Sequence, residues 1–339
     1  MSKLLSIIMP TYKRAWIIEY SLSLIKEQVK RHSEDVELIV CNDASPDNTS
    51  EVIEKILKKD PFFKYIDYKE HANGIGISLS RSLDNGTGKY LMFWGDDDVP
   101  APNLIDIIVE KLKQYPDIGC IHFNRLQGNP GEGVGLNNLQ VFYRDFISPE
   151  ILYHSSKEFT KNHYRGMCFL ACYVFSKDAW SKGKNIWTSE HFGFEYLAPI
   201  LYGVKDKECL YLNYPLCIQR FLCVPQYIDL WPLYIYVGIP RVLKCLESLN
   251  AIDSWEECYS NYHSVASNFD YVHHILYIVC NNKKIYLEYY DEMYGNLNSN
   301  FRKHLFKLVK RPTWLIKIIQ VTYQRLPFIV KKMIIPRNK

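Results

Sequence analysis

The stretch Lys89-Tyr-Leu-Met-Phe-Trp-Gly-Asp-Asp-Asp-Val-Pro100 decides how this chain is interpreted. The apolar run from Tyr90 to Trp94 predicts a buried strand, and three consecutive aspartates follow it before Pro100 ends the segment. Two like charges ~4 Å apart repel by about 1 kcal/mol in water and about 4 kcal/mol at an effective dielectric constant near 20. An acidic cluster at the end of a buried strand therefore predicts a bound cation, and oxygen ligands favour Mg²⁺ or Mn²⁺. The alternative is a solvated acidic turn that precedes a helix beginning near Asn103.

Short apolar runs alternate with helical patterns along the first third of the chain. Such alternation favours parallel pairing in an α/β, doubly wound, mostly parallel sheet. Further buried strands are predicted at 4–9, 36–41, 62–68 and 118–123. Helices are predicted at 15–31 and 103–114, and two more lie between them, one that begins near residue 49 and one that ends near residue 83.

Four polar loops follow these strands, at residues 10–14, 41–48, 71–77 and 95–99. Ligands of doubly wound sheets bind beyond the carboxyl ends of the strands. We therefore expect the four loops to surround one crevice. The later glycine-rich segment Gln127–Leu136 lacks the Gly-Lys-Ser/Thr ending of a phosphate-binding loop, and we interpret it as a lid or connector.

Cysteine spacing and hydropathy exclude several protein classes. The ten Cys include no Cys-x-x-Cys pair, so neither a zinc module nor a disulfide framework is predicted. The apolar run at 4–9 is too short for a signal peptide, and no window has the ~18 apolar residues that a spanning helix needs. We expect a cytoplasmic protein with free thiols.

The net charge of +4 is unevenly distributed. Residues 301–339 contain eleven Lys or Arg and no Asp or Glu, whereas the rest of the chain is net acidic. The apolar side chains Trp314, Leu315, Ile318 and Ile319 are predicted to share one helix face with Thr322. A basic amphipathic helix without acidic residues is typical of a helix that lies on anionic lipid, and we favour lipid over nucleic acid as its partner.

Over roughly residues 3–123 the sequence resembles the family 2 glycosyltransferases of the GT-A fold. The segments that carry the resemblance, in order, are Ser6–Arg14, Val40–Thr49, Asn73–Gly76 with Ser80-Arg81, and Gly88–Tyr90 leading to Asp96–Asp98. The Gly-Asp-Asp-Asp form is most similar to bacterial O-antigen and capsule sugar transferases of the abequosyltransferase-like group. The resemblance implies inverting transfer of a sugar from a nucleotide-diphosphate sugar.

The resemblance also implies roles for individual residues. Asp43 accepts a hydrogen bond from the base, typically from uracil N3–H, although Asn42 replaces the Asp that usually precedes it. Arg81 faces the diphosphate. Asp98 is a direct ligand of Mn²⁺ or Mg²⁺, and Asp96 lies nearer the ribose while belonging to the same metal motif. The other implied nucleotide-sugar contacts are Pro10, Thr11, Tyr12, Arg14, Asn73, Gly74 and Asp97.

An inverting transfer needs a general base for the acceptor hydroxyl. In this family the base is an acidic residue 90–100 residues after the Asp-x-Asp motif, where this chain has Glu190 and Glu195. The usual Glu-Asp doublet is absent, so both glutamates remain candidates, with a slight preference for Glu195 because it precedes an apolar run. His191 is a weaker candidate.

The resemblance, the helical patterns and the charge distribution together predict the domain organisation. A GT-A domain spans 1–223, with a nucleotide-sugar half at 1–123 and an acceptor half at 124–223. A helical region at 224–300 and the basic tail at 301–339 follow. We expect a peripheral protein on the inner face of a bacterial membrane that acts on a lipid-linked glycan. The alternatives are a nucleotidyltransferase-like enzyme and a catalytically inactive scaffold in a glycan assembly complex.

Overall fold

The computed structural model describes residues 3–72, 74–130, 136–141, 148–188, 190, 193–220, 233–263, 280, 283–284, 287–289, 291–292 and 306–325. Within this part of the chain, ten strands form one mixed sheet. The strands are β1 Leu5–Thr11, β2 Val36–Asn42, β3 Lys64–Asp67, β4 Tyr90–Phe93, β5 Val99–Pro100, β6 Cys120–Pro130, β7 Leu136–Val141, β8 Glu150–Tyr153, β9 Tyr173–Ser176 and β10 Cys209–Arg220. The helices that accompany them are α1 Ile18–Arg31, α2 Thr49–Lys59, α3 Ile75–Leu83, α4 Leu104–Gln114, α5 Ser156–Met167, α6 Lys177–Gly183 and α7 Leu197–Gly203.

The sheet has the strand order β3-β2-β1-β4-β9-β6-β10-β5, with β7 paired to β6 and β8 to β10. The first four strands in this order are parallel to one another, and the long β6–β10 ladder is also parallel. Strand β9 is antiparallel to both β4 and β6 and so joins the two parallel parts. The predicted α/β sheet, mostly parallel, is confirmed.

Burial on both faces explains the uninterrupted apolar runs of the central strands. Every residue of β2 and β4 is buried, as is β1 apart from Pro10. Helix α1 covers this part of the sheet with Ile18, Leu22, Ile25 and Val29, which follow helical spacing as predicted. The local hydrophobic pattern therefore predicts which side chains form the core.

The glycine-rich segment Gln127–Leu136 differs from its interpretation as a lid or connector. Gln127–Pro130 belongs to β6, and Leu136 begins β7, which pairs with β6 in an antiparallel ladder. Residues 131–135 lie outside the described residues. The prediction was wrong for Gln127–Pro130 because this strand is held by backbone pairing in a hairpin, which does not require apolar side chains.

The chain divides into two compact units. The first contains residues 1–189, 195–222 and 246–253, and therefore the whole described sheet. The second contains residues 190–194, 223–245 and 254–339. Outside the sheet region, the described part of the chain forms the helices Ile239–Ser248, Trp255–His263 and Thr313–Arg325, and a π-helix at Tyr234–Gly238 precedes the first. Of the predicted helical region at 224–300, residues 224–232 and 264–279 lie outside the described residues.

The tail helix Thr313–Arg325 exposes Trp314 and Ile318 of the predicted apolar face, with Val321 beside them. Trp314, Ile318 and Val321 are exposed, with exposed fractions of 66%, 55% and 42%, whereas Ile316 is buried. Leu315 and Ile319 are partly buried. None of the described helices combines the length and apolar character needed to cross a bilayer.

Candidate active site

The four polar loops meet at the carboxyl ends of β1 to β4, as predicted. Lys13 N–H donates to Ser45 Oγ at 3.0 Å, which joins the first loop to the second. The Tyr12 ring stacks on the His71 ring with centroids 4.2 Å apart, which joins the first loop to the third. Contacts of the Arg14 guanidinium with the acidic triplet join the first loop to the fourth.

The acidic triplet Asp96-Asp97-Asp98 lies in a turn that is separated from β4 by Trp94 and Gly95. Asp96 and Asp98 are buried, with 7% and 2% of their surface exposed. A methyl group on Gly95 would lie 2.2 Å from Asp98 Oδ2, so a larger residue at position 95 would displace the Asp98 carboxylate. Arg14 Nε lies 3.1 Å from Asp96 Oδ1, and Arg14 Nη2 lies 4.0 Å from Asp97 Oδ2. The structure therefore brings the three carboxylates and Arg14 together.

Arg220, which the sequence analysis did not identify, also holds the triplet. It is the last residue of β10, and its backbone N–H donates to Asp98 Oδ1 at 3.4 Å while its Nε donates to the Asp97 carbonyl. Its guanidinium carbon lies 5.3 Å from the centroid of the Tyr20 ring. No local pattern distinguishes this arginine, because it reaches the site only through the pairing of β10 with β5 and β6.

Burial and mutual repulsion perturb the ionisation of the triplet. Burial raises the pKa of Asp97 to about 6, and the neighbouring Asp96 carboxylate adds to this increase while Arg14 and Arg220 oppose it. Burial also raises the pKa of Asp98 well above its ordinary value, with the Asp97 charge as the next cause. Such crowding of buried carboxylates favours a bound cation.

The donor set of the triplet fits a hard divalent cation that completes its coordination with substrate. Among the described residues, no group of three or more His, Cys, Asp or Glu side chains could hold a metal ion. Mg²⁺ is usually bound through one or two carboxylates together with substrate phosphates rather than by an all-protein cage. The buried oxygens of Asp98 and Asp96 match that requirement.

A second polar cluster surrounds Asp43 at the end of β2. The Asp43 carboxylate is 3% exposed and accepts hydrogen bonds from the Arg81 guanidinium and from Ala72 N–H, the latter at 3.2 Å. His71 Nδ1 lies 2.9 Å from Asp43 Oδ2. Arg81 also stacks on Tyr68, with its guanidinium carbon 3.7 Å from the ring centroid. The structure thus places Arg81 beside Asp43.

Asn42 is directed away from this cluster. Its side-chain amide donates to Asp67 Oδ1 at 3.0 Å and to the Tyr65 hydroxyl at 3.2 Å, and its carbonyl accepts from Ser45. An aspartate at this position would face the Asp67 carboxylate without a proton to donate. The amide at position 42 is therefore explained by the hydrogen bonds that it makes between the ends of β2 and β3.

The backbone of the first two loops is strained where they meet. Lys13 and Ala44 have φ angles of 57° and 53°, a region that residues other than glycine rarely adopt. Such strain is concentrated at functional sites. The buried Thr11 hydroxyl at the end of β1 has no hydrogen-bond partner among the described residues, so a polar group remains available in this region.

The remaining predicted nucleotide contacts lie on the same loops. Pro10 is partly buried within β1 and pairs with Cys41. Gly74 precedes α3 with a φ angle of 131°, which requires glycine. Asn73 lies outside the described residues, as does His191.

The two candidate general bases lie in different environments. Glu195 belongs to the unit that contains the sheet and is 8% exposed. The next residue, Tyr196, packs edge-to-face on Phe93, the last residue of β4, with ring centroids 6.2 Å apart. Glu190 belongs to the other unit and is exposed, and its backbone carbonyl accepts a hydrogen bond from Arg241 at 3.1 Å. The burial of its side chain thus distinguishes Glu195 from Glu190.

Sequence comparisons point to one family. The sequence model described as Glycosyl transferase family 2 matches residues 6–183, slightly more than half of the chain. A GalNAc(5)-diNAcBac-PP-undecaprenol beta-1,3-glucosyltransferase of Campylobacter jejuni is 30% identical over 113 residues, which cover 32% of this chain and 35% of the relative. A chondroitin synthase of Pasteurella multocida is 24% identical over 159 residues, 46% of this chain and 16% of the relative. The matches thus span only about a third or less of these relatives.

Solved structures share the fold at low sequence identity. S. aureus TarS 1–349 superposes with a TM-score of 0.56 and 14% identity, covering 95% of this chain and 91% of that chain. The same protein in complex with UDP-GlcNAc superposes with a TM-score of 0.51 and 12% identity, covering 95% and 92%. The architecture extends beyond the segment that the family sequence model matches.

Proposed function

This chain belongs to glycosyl transferase family 2, and on that premise we propose that it transfers a sugar from a UDP-linked donor to a lipid-linked glycan during bacterial surface polysaccharide assembly, such as that of O-antigen or capsule. The proposal rests mainly on one observation. The carboxyl ends of β1 to β4 bring an aromatic and acidic pocket, formed by Tyr12 and Asp43, onto the same sheet edge as the buried triplet Asp96–Asp98. A nucleotide-diphosphate sugar needs both features, one for its base and one for its diphosphate.

The pocket at Asp43 supports a base that has a ring N–H. Asp43 presents an accepting carboxylate, and the Arg81 guanidinium beside it presents donors. Uracil offers the complementary edge, an N3–H donor flanked by two carbonyl acceptors, whereas cytosine has an acceptor at N3. Tyr12 supplies an aromatic face for stacking. In this arrangement Arg81 contributes to base recognition, in addition to the proposed contact with the diphosphate.

The acidic triplet supports binding of the diphosphate through a divalent cation. Asp98 and Asp96 would hold Mn²⁺ or Mg²⁺, which supplies charge stabilisation for the leaving nucleoside diphosphate when bound. Arg14 and Arg220 place two guanidinium groups against the same triplet, where they offset part of its charge. Asp97 is part of the same turn and completes the wall beside the donor.

Glu195 is the proposed general base. It takes the proton of the acceptor hydroxyl as that oxygen attacks the anomeric carbon from the face opposite the nucleotide. The new carbon–oxygen bond forms while the bond to the β-phosphate oxygen breaks, so the anomeric configuration inverts and UDP leaves. Its burial in the unit that contains the sheet supports Glu195 over Glu190.

The tail helix supports attachment to an anionic membrane surface on the cytoplasmic side. Exposed Trp314, Ile318 and Val321 form an apolar stripe at helical spacing, and the exposed Lys317 lies within the same two turns. A lipid-linked acceptor is the natural substrate at such a surface, and the C. jejuni relative is named for an undecaprenol-linked one. Basic residues near anionic lipid contribute about 1 kcal/mol each.

The experiment that tests the proposal measures release of UDP from UDP-sugars with Mn²⁺, with Mg²⁺ and with EDTA. Asp98→Ala should lose at least roughly a hundredfold in rate. Asp117→Ala, which changes an aspartate whose side chain is 93% exposed, is the matched control and should keep its rate. Equal rates in EDTA, or an undiminished rate for Asp98→Ala, would contradict the metal role, and no UDP release from any donor would contradict the donor assignment.

A further inference from the structure

The imidazole of His71 makes two contacts of the kind that a bound heteroaromatic ring would make. It stacks on the Tyr12 ring with centroids 4.2 Å apart and an interplanar angle of 18°. Its Nδ1 lies 2.9 Å from Asp43 Oδ2, and because a carboxylate only accepts, this ring nitrogen donates. The same nitrogen lies 3.2 Å from the Asp43 carbonyl.

These are the two interactions that the proposed function assigns to the base of the donor, namely a ring face on Tyr12 and a ring N–H on Asp43. We propose that His71 occupies the base position in the free protein and that the donor must displace it. The inference rests on the proposed function, since it takes Asp43 and Tyr12 as the base-binding residues. It makes His71 a residue that sets donor affinity by competing for the pocket.

The surroundings of His71 allow this displacement. Its side chain is 47% exposed, whereas the side chain of Asp43 behind it is 5% exposed. The backbone at the next residue is fixed independently, because Ala72 N–H donates to Asp43 Oδ1. A rotation of the His71 side chain therefore uncovers Asp43 and the Tyr12 ring without unfolding the loop that carries it.

Competition between His71 and the base for this pocket predicts the direction in which the affinity for nucleotide changes when His71 is replaced. When only a fraction of molecules has the pocket open, the measured Kd equals the intrinsic Kd divided by that fraction. Removal of the imidazole should therefore tighten nucleotide binding. Loss of an ordinary wall residue of the pocket would weaken it.

The test is isothermal titration of the full-length protein with UDP in the presence of Mn²⁺. His71→Ala should bind UDP with a Kd roughly three- to tenfold lower than the unsubstituted protein. His71→Phe keeps an aromatic ring but has no N–H for Asp43, and it should show a smaller decrease in Kd. Inorganic pyrophosphate with Mn²⁺, which has no base, should bind all of these proteins equally.

His154→Ala is the matched control, because it removes another surface imidazole that pairs with a carboxylate, that of Glu208. Its Kd for UDP should equal that of the unsubstituted protein, and thermal melting checks that every variant is folded. A Kd of His71→Ala equal to or above that of the unsubstituted protein overturns the proposal while leaving the proposed function intact. Absence of UDP binding by both proteins would instead contradict the donor assignment and with it this inference.

Discussion

The carboxyl group of Glu195 packs against the backbone of Gly76 in the first turn of α3, so closely that a methyl group on Gly76 would lie 2.6 Å from Glu195 Cδ and 2.7 Å from its Cβ. The contact holds the proposed base against the first turn of α3. Gly74, the residue before this helix, belongs to the loop that also contributes to the Asp43 cluster. It also explains a glycine inside a helix, where alanine is normally favoured by about 1 kcal/mol.

Gly76→Ala should displace Glu195 and lower kcat by roughly tenfold to a hundredfold, because a shift of about 1 Å in a reacting group is that costly. Steady-state kinetics with a UDP-sugar donor measure this effect. The substitution should change the rate little in a Glu195→Gln background, since the group it displaces is then already inactive. Full additivity of the two substitutions would contradict the explanation.

Replacement of each candidate base by its amide should separate the two glutamates. Glu195→Gln should lower kcat by about 10²–10⁴ because it removes proton transfer, while the Kd for UDP stays the same. Glu190→Gln should change kcat by less than about threefold, since the proposed transfer assigns no role to this exposed carboxylate. The reverse order of effects would assign the base to Glu190.

Arg220→Ala should lower kcat/KM by roughly tenfold to a hundredfold, because it removes the bond from Nε to the Asp97 carbonyl and a positive charge beside the triplet. Arg220→Lys should recover part of this loss, since it keeps the charge without the planar fork.

Arg125→Lys provides the matched control for this effect. Arg125 is another buried arginine, on β6, and its Nε donates to Gln219 at 2.8 Å. Kinetics and melting temperatures of the three variants should show a loss of kcat/KM specific to position 220. A similar loss for Arg125→Lys and Arg220→Lys would indicate a general packing defect.

Glu37 should make a pH-dependent contribution to stability. Burial raises its pKa, but hydrogen bonds from Lys64, Ser6 and Thr87 outweigh burial and lower the pKa to about 2 from 4.5. The carboxylate therefore stabilises the folded state above pH 4.5, and this contribution is lost as the pH falls from 4.5 towards 2.

Glu37→Gln should accordingly lower the melting temperature at pH 7, and the difference from the unsubstituted protein should shrink as the pH falls below 4.5. Thermal denaturation at pH 7, 5, 4 and 3 measures it. A difference that is constant over this range would show that Glu37 acts through packing alone.

Joint replacement of Trp314, Ile318 and Val321 by serine should release the protein from vesicles that contain phosphatidylglycerol. Each of these side chains contributes about 1.5–3 kcal/mol when fully buried in an apolar phase, so the pelleted fraction should fall at least about tenfold. Leu139→Ser, which changes another exposed apolar residue (49% exposed), is the control. Unchanged sedimentation of the triple variant would contradict membrane attachment through this helix.

The sequence by itself determined the parallel part of the sheet formed by β1 to β4, the helices α1 to α4 and the loops that form the site. Apolar runs and helical spacing are local properties, and they located β1, β2, β4 and α1 to within a few residues. The rule that parallel strands end at one edge then placed Tyr12, Asp43 and the acidic triplet together, as the contacts among their loops confirm.

Only the tertiary structure decided which distant residues complete the site. Arg220 reaches Asp98 across 122 positions through the register of β10, and register between distant strands leaves no mark in local composition. The burial of Glu195 depends on α3, which packs on it through Gly76. The position of His71 against Tyr12 likewise depends on how the first and third loops fold together. The physical reason is that hydrophobic periodicity encodes burial, whereas the approach of polar side chains depends on long-range packing.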